Sequence, residues 1–300
     1  MNERDYKIIQ NLNGKTRRRF GHSYLVQKTD ATNEFYVLKM AEGDQIAFLK
    51  AESSFSFKHP SLPNVIDFQE NEKQALLLLK HKTGIPVLEH SKKLNKKKRI
   101  ELFLSIAEQA LDLLQQLHSE RIAHLDIKPS NLIFDSTTNQ LSIIDFGMAK
   151  KLPLEDNKLI FPLGYAAPEL LLNEYSALSL GTDLFALGIS LYQIWTGNLP
   201  LIHPNPSIMT NLQLAHPLEK PEGCPDYIFD IILGLTQKPL WKTAPNRMHR
   251  EEVLSILKDS IKKRETFSLS LPEYIQTIRQ FNEQSLLVKL FSKPKIKGKD

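Results

Sequence analysis

The chain has 300 residues, of which 41% are hydrophobic and 24% are charged, a composition typical of folded globular proteins. This composition excludes a collagen-like protein, an intrinsically disordered tail and a simple coiled coil. The single cysteine, Cys224, excludes an intramolecular disulfide and a zinc site built on cysteines, so we expect a reducing compartment. No apolar run has the length of a signal peptide or a membrane span, and the expected location is cytoplasmic.

The net charge of +5 is modest, but the positive charges are grouped. Basic clusters occur at residues 17–19, 92–99 and 293–299. Such clusters attract phosphate, nucleic acid or anionic lipid, or simply form a solvated surface. No aromatic residues interleave the lysines of 92–99, as a platform for single-stranded nucleic acid requires, so we expect no nucleic-acid partner.

From Tyr24 to about Lys80 the pattern is mostly that of β-strands. Strand-like runs cover residues 35–40, 64–68 and 75–79. One helical stretch, over residues 45–57, interrupts them. The polar residues 80–84 follow an apolar strand and predict the boundary between two lobes.

The second half of the chain is mainly helical. From about Asn95 apolar residues repeat at helical spacing and predict a long helix. Two short strands, 131–134 and 141–144, are joined by turn residues and predict a hairpin. Further helical patterns cover residues 183–195, 226–236 and 250–262, and no internal repeat is present.

One loop and one turn carry residues suited to phosphate chemistry. The loop 124–131 contains Asp126, Lys128 and Asn131 just before the predicted hairpin, and Asp145 follows the hairpin directly. Because a hairpin brings its ends together, Asn131 and Asp145 are expected to meet. Two oxygen ligands suit Mg²⁺, which commonly takes one or two protein ligands plus substrate phosphates. The pattern predicts that Lys128 faces a transferred phosphoryl group and that Asp126 accepts a substrate proton.

These motifs resemble those of the eukaryotic-like serine/threonine protein kinases, with a loop over residues 58–63 that looks like bacterial members. In family order the motifs are Lys39, the loop 124–131, Asp145-Phe146-Gly147, Ala167-Pro168-Glu169 and residues 183–188. The resemblance implies an α+β, two-lobed protein-kinase-like fold with a small β-rich N-lobe and a mainly helical C-lobe. It divides the chain into an N-lobe over 1–82, a C-lobe over 83–264, and a C-terminal amphipathic helix with a basic tail over 265–300.

The resemblance also implies ATP and Mg²⁺ as the cofactors and assigns the catalytic positions. Asp126 takes the position of the catalytic base, and Lys128 that of the phosphate-facing lysine. Asn131 and Asp145 take those of the Mg²⁺ ligands. Lys39 would hold the α- and β-phosphates of ATP.

The hinge and one structural pair follow from the same resemblance. Leu79 would line the back of the nucleotide pocket, while Lys80 and Lys82 would offer main-chain contacts to adenine. Arg247 resembles the late arginine of the family that pairs with the glutamate of the Ala-Pro-Glu segment, here Glu169.

The glycine-rich loop that covers the phosphates in this family is irregular here. Gly14 and Gly21 take the positions of its first and last glycines, but the central glycine is missing and three arginines occupy the tip. These arginines either contact phosphate in its place or point into solvent.

The glutamate that pairs with the strand lysine is also displaced. Its usual position relative to His59-Pro60 holds Lys50, and Glu52 is the nearest candidate. If Glu52 does not reach Lys39, the active geometry requires a partner or does not form.

Two features of the activation segment agree with each other. Many kinases carry an arginine before the catalytic aspartate that binds a phosphate on this segment, but here the residue is Leu125. Residues 148–163 contain no Ser, Thr or Tyr. We therefore predict activity that does not depend on activation-loop phosphorylation. Pro162 replaces a threonine of the family, so substrate preference does not transfer.

After Arg264 the resemblance ends and a helical apolar pattern continues from Leu271 to Phe291, followed by a lysine-rich end. Docking of this helix on the second lobe is the favoured interpretation. The alternative is a helix that binds a membrane surface or a partner protein.

The leading hypothesis is a serine/threonine protein kinase that transfers the γ-phosphoryl group of ATP to a hydroxyl of a protein substrate. The alternatives are a pseudokinase, acting as a nucleotide-binding or scaffold module, and a small-molecule kinase. Retention of Lys39, Asp126, Asn131 and Asp145 favours the enzyme, and the Ala-Pro-Glu segment favours protein substrates.

Overall fold

The computed structural model describes residues 5–13, 21–30, 34–154, 159–239 and 248–291, with side chains described to residue 283. An antiparallel five-stranded sheet of order β1-β2-β3-β5-β4 forms the N-lobe. Its strands are β1 (Tyr6–Asn11), β2 (His22–Lys28), β3 (Phe35–Glu42), β4 (Val65–Glu70) and β5 (Gln74–Lys80). The fold is α+β and two-lobed, as expected.

Helix α1 (Ile46–Ser53) covers one face of this sheet. Its Leu49 is buried in a cluster with Ala41, Leu77 and Leu79. Residues 75–79 are all buried, which explains why β5 is a continuous apolar run rather than an alternating one. Because β5 pairs with β3, with Leu77 opposite Lys39, this packing fixes the position of the strand lysine.

The C-lobe is built mainly of helices. These are α2 (Val87–Ser91), α3 (Lys96–Ser119), α4 (Pro168–Leu171), α5 (Leu180–Thr196), α6 (Pro206–Ala215), α7 (Asp226–Leu235) and α8 (Arg250–Phe291). Its short strands are β6 (Ile85–Pro86), β7 (Ile122–Ala123), β8 (Leu132–Asp135), β9 (Gln140–Ile143) and β10 (Lys150–Lys151), where β8 pairs with β6 and β9, and β7 pairs with β10.

Helix α5 is the centre of the C-lobe, with buried residues all around its circumference. A helix that is apolar on every side is covered on every side by other elements. The Ser179 and Thr182 side chains form a capping box at its start, and Gly197 ends it with a left-handed φ of 84°. Helix α3 packs against it through one apolar face, and the Asn95 side chain accepts from the Lys98 amide at its start, 3.0 Å.

The predicted helices and strands occur in the structure with shifted ends. Strand β1 and helix α6 were not predicted, because β1 is mostly exposed and lacks a buried face, and α6 has only two buried residues. The polar segment between β5 and β6 connects the lobes, and Gly84 in it has φ 112°. Helix α8 is longer than the predicted pattern over 250–262, and the expected division after Arg264 lies inside it.

The first part of the C-terminal apolar pattern docks on the C-lobe, as favoured. Leu271, Ile275 and Ile278 are buried within the main core, and Arg279 forms an ion pair with Glu108 on α3 at 2.7 Å. Phe281, the next apolar residue, is exposed. Within the described ranges, no helix combines the length and apolarity needed to cross a membrane.

We expect Gly21→Ala to destabilise the N-lobe far more than Gly43→Ala. Both glycines have positive φ, 89° and 56°, but a Cβ on Gly21 would lie 2.1 Å from the Met40 carbonyl oxygen while Gly43 faces open space. Left-handed backbone alone costs about 1 kcal/mol, and the clash raises the total to about 3 kcal/mol. Urea unfolding measures both losses. Equal losses would contradict the close approach of β2 to β3 at Gly21.

Candidate active site

The Lys39 ammonium lies between two carboxylates. Its Nζ is 2.6 Å from each carboxylate oxygen of Glu52 and 2.8 Å from Oδ1 of Asp145. Strand β3 supplies the lysine, the last turn of α1 supplies Glu52, and the turn after β9 supplies Asp145. The structure therefore brings Glu52, the candidate taken from the sequence, into contact with Lys39 despite its displaced position.

Electrostatic contacts favour the charged forms of Lys39 and Asp145 in this cluster. Burial alone would lower the pKa of Lys39, but the carboxylates of Asp145 and Glu52 more than offset it and raise this pKa above its ordinary value. Burial likewise opposes the charge of Asp145, yet the Lys39 ammonium brings the Asp145 pKa down to about 2. Burial raises the pKa of Glu52, with Lys39 acting against it.

The catalytic-loop candidates form a second cluster. Lys128 Nζ lies 2.8 Å from both carboxylate oxygens of Asp126, and Asn131 Nδ2 donates to Asp126 Oδ2 at 2.8 Å and to its main-chain oxygen at 2.9 Å. Asp126 is buried, and burial raises its pKa against the attraction of Lys128. A carboxylate with a raised pKa is a better proton acceptor than an ordinary aspartate.

The hairpin of β8 and β9 places Asn131 and Asp145 at neighbouring positions. Leu132 pairs with Ile143, and the Ile144 amide donates to the Asn131 carbonyl at 3.0 Å. Asn131 directly precedes Leu132 and Asp145 directly follows Ile144, so both candidate metal ligands lie at the open end of the hairpin. Among the described residues no cluster of three or more His, Cys, Asp or Glu exists that would form a metal site from protein ligands alone.

Helix α5 supports the catalytic loop through hydrogen bonds to its main chain. Asp183 accepts from the main-chain amides of His124 at 2.8 Å and Leu125 at 2.9 Å. Leu125 has a left-handed φ of 61°, so these two bonds hold a backbone conformation that a leucine rarely adopts. These bonds fix the backbone conformation immediately before Asp126.

Phe146 connects the loop to α1. Its ring is fully buried, with ring centroids 4.6 Å from His124, 5.3 Å from Phe57 and 6.0 Å from Phe55. The Phe146 amide also donates to Glu52 Oε1 at 3.3 Å. Sequence reasoning missed Phe55 and Phe57, although two aromatic residues just after a short helix are a usable packing signal.

Only one end of the glycine-rich loop belongs to the described part. Gly14 and the arginines 17–19 lie outside it, and Gly21 lies directly before β2. Asn13 braces the loop stem, because its Oδ1 accepts from the Ser23 amide at 2.9 Å and its Nδ2 lies 3.0 Å from His22 Nδ1. Asn13 was not among the sequence candidates.

The hinge residues lie at the end of β5 and just after it. Leu79 is buried and paired with Val37 of β3. The Lys80 amide donates to the Asn64 carbonyl at 3.0 Å, because β5 continues through Lys80, and main-chain contacts of Lys80 and Lys82 with adenine stay a prediction. The Lys82 ammonium donates to the Pro60 carbonyl at 2.6 Å and ties the hinge to the loop before β4.

The predicted pair of Arg247 with Glu169 stays a prediction, because Arg247 lies outside the described residues. Within the described part of the chain, the guanidinium of Arg264 on α8 contacts Glu169 at 2.6 Å, with both side chains fully buried. The sequence carried a signal for this role, because Arg264 continues the buried helical spacing of Leu257, Ile261 and Leu271.

The comparisons with known proteins agree with this site. Residues 19–277 match the family model of the protein kinase domain, so the chain belongs to the protein kinase family. The structure of the kinase PK-1 of Cydia pomonella granulovirus is similar, with a TM-score of 0.60 and 19% identity over 78% of this chain and 87% of that one. At this identity the likeness supports the fold alone.

Curated relatives are serine/threonine kinases, which confirms the family expected from the motifs. The cAMP-dependent protein kinase catalytic subunit of Dictyostelium discoideum is 29% identical over 68% of this chain and 32% of its own length. The serine/threonine-protein kinase PrkC of Bacillus subtilis is 27% identical over 71% of this chain and 32% of its own length. The chain spans about a third of the length of these two relatives.

We expect the buried His124 to make stability depend on pH. Burial lowers its pKa to about 4, although Asp145 acts in the opposite direction. In the unfolded chain the pKa of this histidine is near 6.5. Between pH 6.5 and 4 the unfolded chain therefore binds more protons than the folded one, and the free energy of unfolding falls as the pH drops through this window. The expected loss between pH 7 and pH 4.5 is about 2 to 3 kcal/mol.

Urea unfolding at pH 7 and pH 4.5 measures this loss in the wild type and in His124→Phe, which keeps the ring against Phe146 but does not titrate. Carboxylates contribute to both proteins, so the difference between the two losses isolates His124. Identical losses would contradict a buried neutral histidine.

Proposed function

We propose that this chain is an ATP- and Mg²⁺-dependent serine/threonine protein kinase that transfers the γ-phosphoryl group to a hydroxyl of a protein substrate. The observation that carries the proposal is the contact of Lys39 with both Glu52 and Asp145, beside the Asp126, Lys128 and Asn131 cluster. In this family that arrangement of lysine and glutamate accompanies the catalytic geometry.

Asp126 has the environment of a proton acceptor. When the substrate hydroxyl attacks the γ-phosphorus, its proton passes to the Asp126 carboxylate, the bond to the bridging oxygen breaks and ADP leaves. Lys128, which now contacts both Asp126 oxygens and is a quarter exposed, turns its charge toward the transferred group. Asn131 holds the Asp126 carboxylate in place through its amide N–H.

The residues present fit a nucleotide with its metal. Asp145 uses one oxygen for Lys39 and has a second for Mg²⁺. Asn131 uses its amide nitrogen for Asp126, and its Oδ1, which accepts from the Ser130 hydroxyl at 3.4 Å, has a second lone pair for Mg²⁺. Lys39 would hold the α- and β-phosphates. Bound Mg²⁺ would neutralise charge on the phosphates, which is the chemistry that a hard cation supplies in this reaction.

Protein rather than small-molecule substrates are supported by the buried Ala-Pro-Glu segment, and serine or threonine acceptors by the Lys128-Pro129-Ser130-Asn131 sequence. Retention of Lys39, Asp126, Asn131 and Asp145 argues against the pseudokinase alternative. The contact of Glu52 with Lys39 removes the principal reason for that alternative, which was the displaced glutamate.

The test is transfer of labelled γ-phosphate from Mg·ATP to generic protein substrates by the wild type, Asp126→Asn and Asp145→Asn. Removing a positioned base lowers turnover about 10²- to 10⁴-fold, and removing a metal ligand has a comparable effect. Asp259→Asn, an exposed aspartate of α8, is the control and retains full activity. No transfer above the two variants, combined with a rise in melting temperature on adding ATP, would support the pseudokinase instead.

Independence from activation-loop phosphorylation forms a second part of the proposal. Leu125 replaces the phosphate-binding arginine, and residues 148–163 lack any acceptor hydroxyl. An apolar cluster occupies this region instead, formed by Leu152, Leu154, Leu159, Phe161, Ala166, Leu170, Leu171, Tyr175 and Leu178. Apolar contacts hold the described parts of the activation segment without any added charge.

We therefore expect phosphatase treatment to change activity less than about twofold, while Phe161→Ala lowers it about tenfold by loosening the segment. The control is Ile160→Ala, because Ile160 is exposed next to Phe161 and its truncation leaves activity unchanged. The measurement is peptide phosphorylation by mass-verified dephosphorylated protein. Loss of activity after dephosphorylation would contradict the apolar mode of anchoring.

A further inference from the structure

A cavity in the C-lobe lies beside the activation segment, between Gly164, helix α5 and helix α6. Its empty space, including the part open to solvent, is about 200 Å³. Pockets for drug-sized ligands have roughly 300–1,000 Å³, so this cavity suits the end of a single side chain. Its apolar wall consists of Phe185, Ile189, Pro200 and Leu201.

Gln213 of α6 supplies an unpaired amide to the wall of this cavity. The residue is 4% exposed, and neither its Oε1 nor its Nε2 has a hydrogen-bond partner among the described residues. Buried amides are ordinarily paired, because an unpaired one loses its bonds to water without replacement. The cavity therefore presents one free donor and one free acceptor.

Lys238, which follows α7, supplies the only formal charge among the described residues that line the cavity. Its ammonium donates to the main-chain carbonyl of Gln213, which leaves N–H donors free. Burial lowers the pKa of Lys238 to about 8, so the group is still mainly charged at pH 7. Residues 184–218, which form most of the wall, contain no Asp or Glu that would neutralise it.

The free groups of Lys238 and Gln213 match the chemistry of a peptide with an acidic side chain. A carboxylate accepts from the Lys238 ammonium and from Gln213 Nε2, and hydrogen bonds between charged groups are the strong ones. Gln213 Oε1 requires a donor, which a carboxylate lacks and a main-chain N–H supplies. An acidic residue within a peptide therefore fits the cavity better than a simple carboxylate ion.

The position of the cavity connects it with the acceptor substrate. Tyr165, directly after Gly164, lines a second cavity with Leu125 and Ile127, the residues on either side of Asp126. Burial together with the nearby Asp126 carboxylate raises the pKa of Tyr165 to about 12. Because adjacent Cα atoms are about 3.8 Å apart, a peptide that presents its hydroxyl to Asp126 passes close to Gly164.

Helix α6 is anchored lightly enough to admit such a side chain. Only Gln213 and Leu214 of this helix are buried. Leu201 in the apolar wall has a left-handed φ of 51°, a conformation that is unfavourable for leucine and is found more often at ligand sites than elsewhere. An element with few buried contacts moves at low cost in free energy, so a small outward shift of α6 opens the cavity.

We propose that Lys238 and Gln213 form a binding site for an acidic side chain of the protein substrate, close to the hydroxyl that is phosphorylated. The inference rests on the proposed kinase function and names one feature of its substrate, a glutamate or aspartate near the acceptor. Lys238 and Gln213 are then determinants of substrate specificity.

The experiment uses peptides with a central serine in which one glutamate is moved along the flanking positions, each paired with the same peptide carrying glutamine. At one position we expect glutamate to raise kcat/KM of the wild type about tenfold over glutamine. Lys238→Met lowers this ratio below about twofold, and Gln213→Leu lowers it to about threefold. The matched control is Lys258→Met, which removes an exposed lysine of α8 and retains the wild-type ratio.

Three results would overturn the proposal. The first is equal use of the glutamate and glutamine peptides by the wild type at every position. The second is a preference for glutamate that survives Lys238→Met. The third is a phosphoserine peptide with kcat/KM well above that of the glutamate peptide at the same position, because the site would then bind phosphate rather than a carboxylate.

Peptide binding measured by fluorescence anisotropy without ATP separates this site from the proposed function. Lys238→Met removes a buried unpaired charge, so we expect it to fold with a melting temperature no lower than that of the wild type. If the wild type transfers no phosphate, the kinase proposal fails, but about tenfold tighter binding of the glutamate peptide that is lost in Lys238→Met still supports the site. Equal binding of the two peptides by the wild type would overturn the site even if the protein is an active kinase.

Discussion

The buried ammonium of Lys39 is the interaction on which the site depends. It joins β3 and the helix α1 that follows it to the turn after β9, 106 residues further along the chain, at contacts of 2.6 to 2.8 Å. Without the lysine, two carboxylates would share a poorly solvated space and repel each other. Counted as formal charges, this cluster has two carboxylates and one ammonium, whereas the formal charges of Asp126 and Lys128 cancel. The free site is therefore net negative, which favours a divalent cation bringing anionic phosphates.

The C-lobe counterpart of Lys39 is Asp183, which organises the catalytic loop through main-chain amides rather than through another charge. The two centres meet at Phe146, whose ring packs on His124 and whose amide donates to Glu52. Displacing α1 from the sheet would therefore disturb both the Lys39 cluster and the ring contacts of the loop. Because His124 stays neutral, this link between the lobes is governed by packing.

Much of this arrangement could be predicted from the sequence, and the failures have physical causes. Short local motifs contain Lys39, Asp126, Asn131 and Asp145, so these residues can be recognised from the sequence without knowledge of the fold. Glu52 stayed uncertain because α1 ends at Ser53, so helix packing rather than motif spacing decides which side chain reaches the lysine. Arg264 was missed because it lies 95 residues from Glu169, and a charged residue in a helix is usually solvated. The hydrogen bond from the Lys80 amide to the Asn64 carbonyl was not predicted, because strand pairing at the end of β5 is a tertiary property.

The departures of this chain from the family pattern share one consequence. Under the proposed function, the apolar cluster around Ala166 and Leu170 takes the place of the arginine and phosphate that hold the activation segment in many kinases, and Arg264 of the C-terminal helix contacts Glu169. A phosphate contact is reversible, whereas apolar burial and a fully buried ion pair persist as long as the lobe is folded. Under the proposed function, control of activity therefore has to act through elements other than this segment. Helix α8 meets that requirement within the described part of the chain, because its adjacent side chains Arg264 and Glu265 contact Glu169 and the capping residue Ser179 of α5.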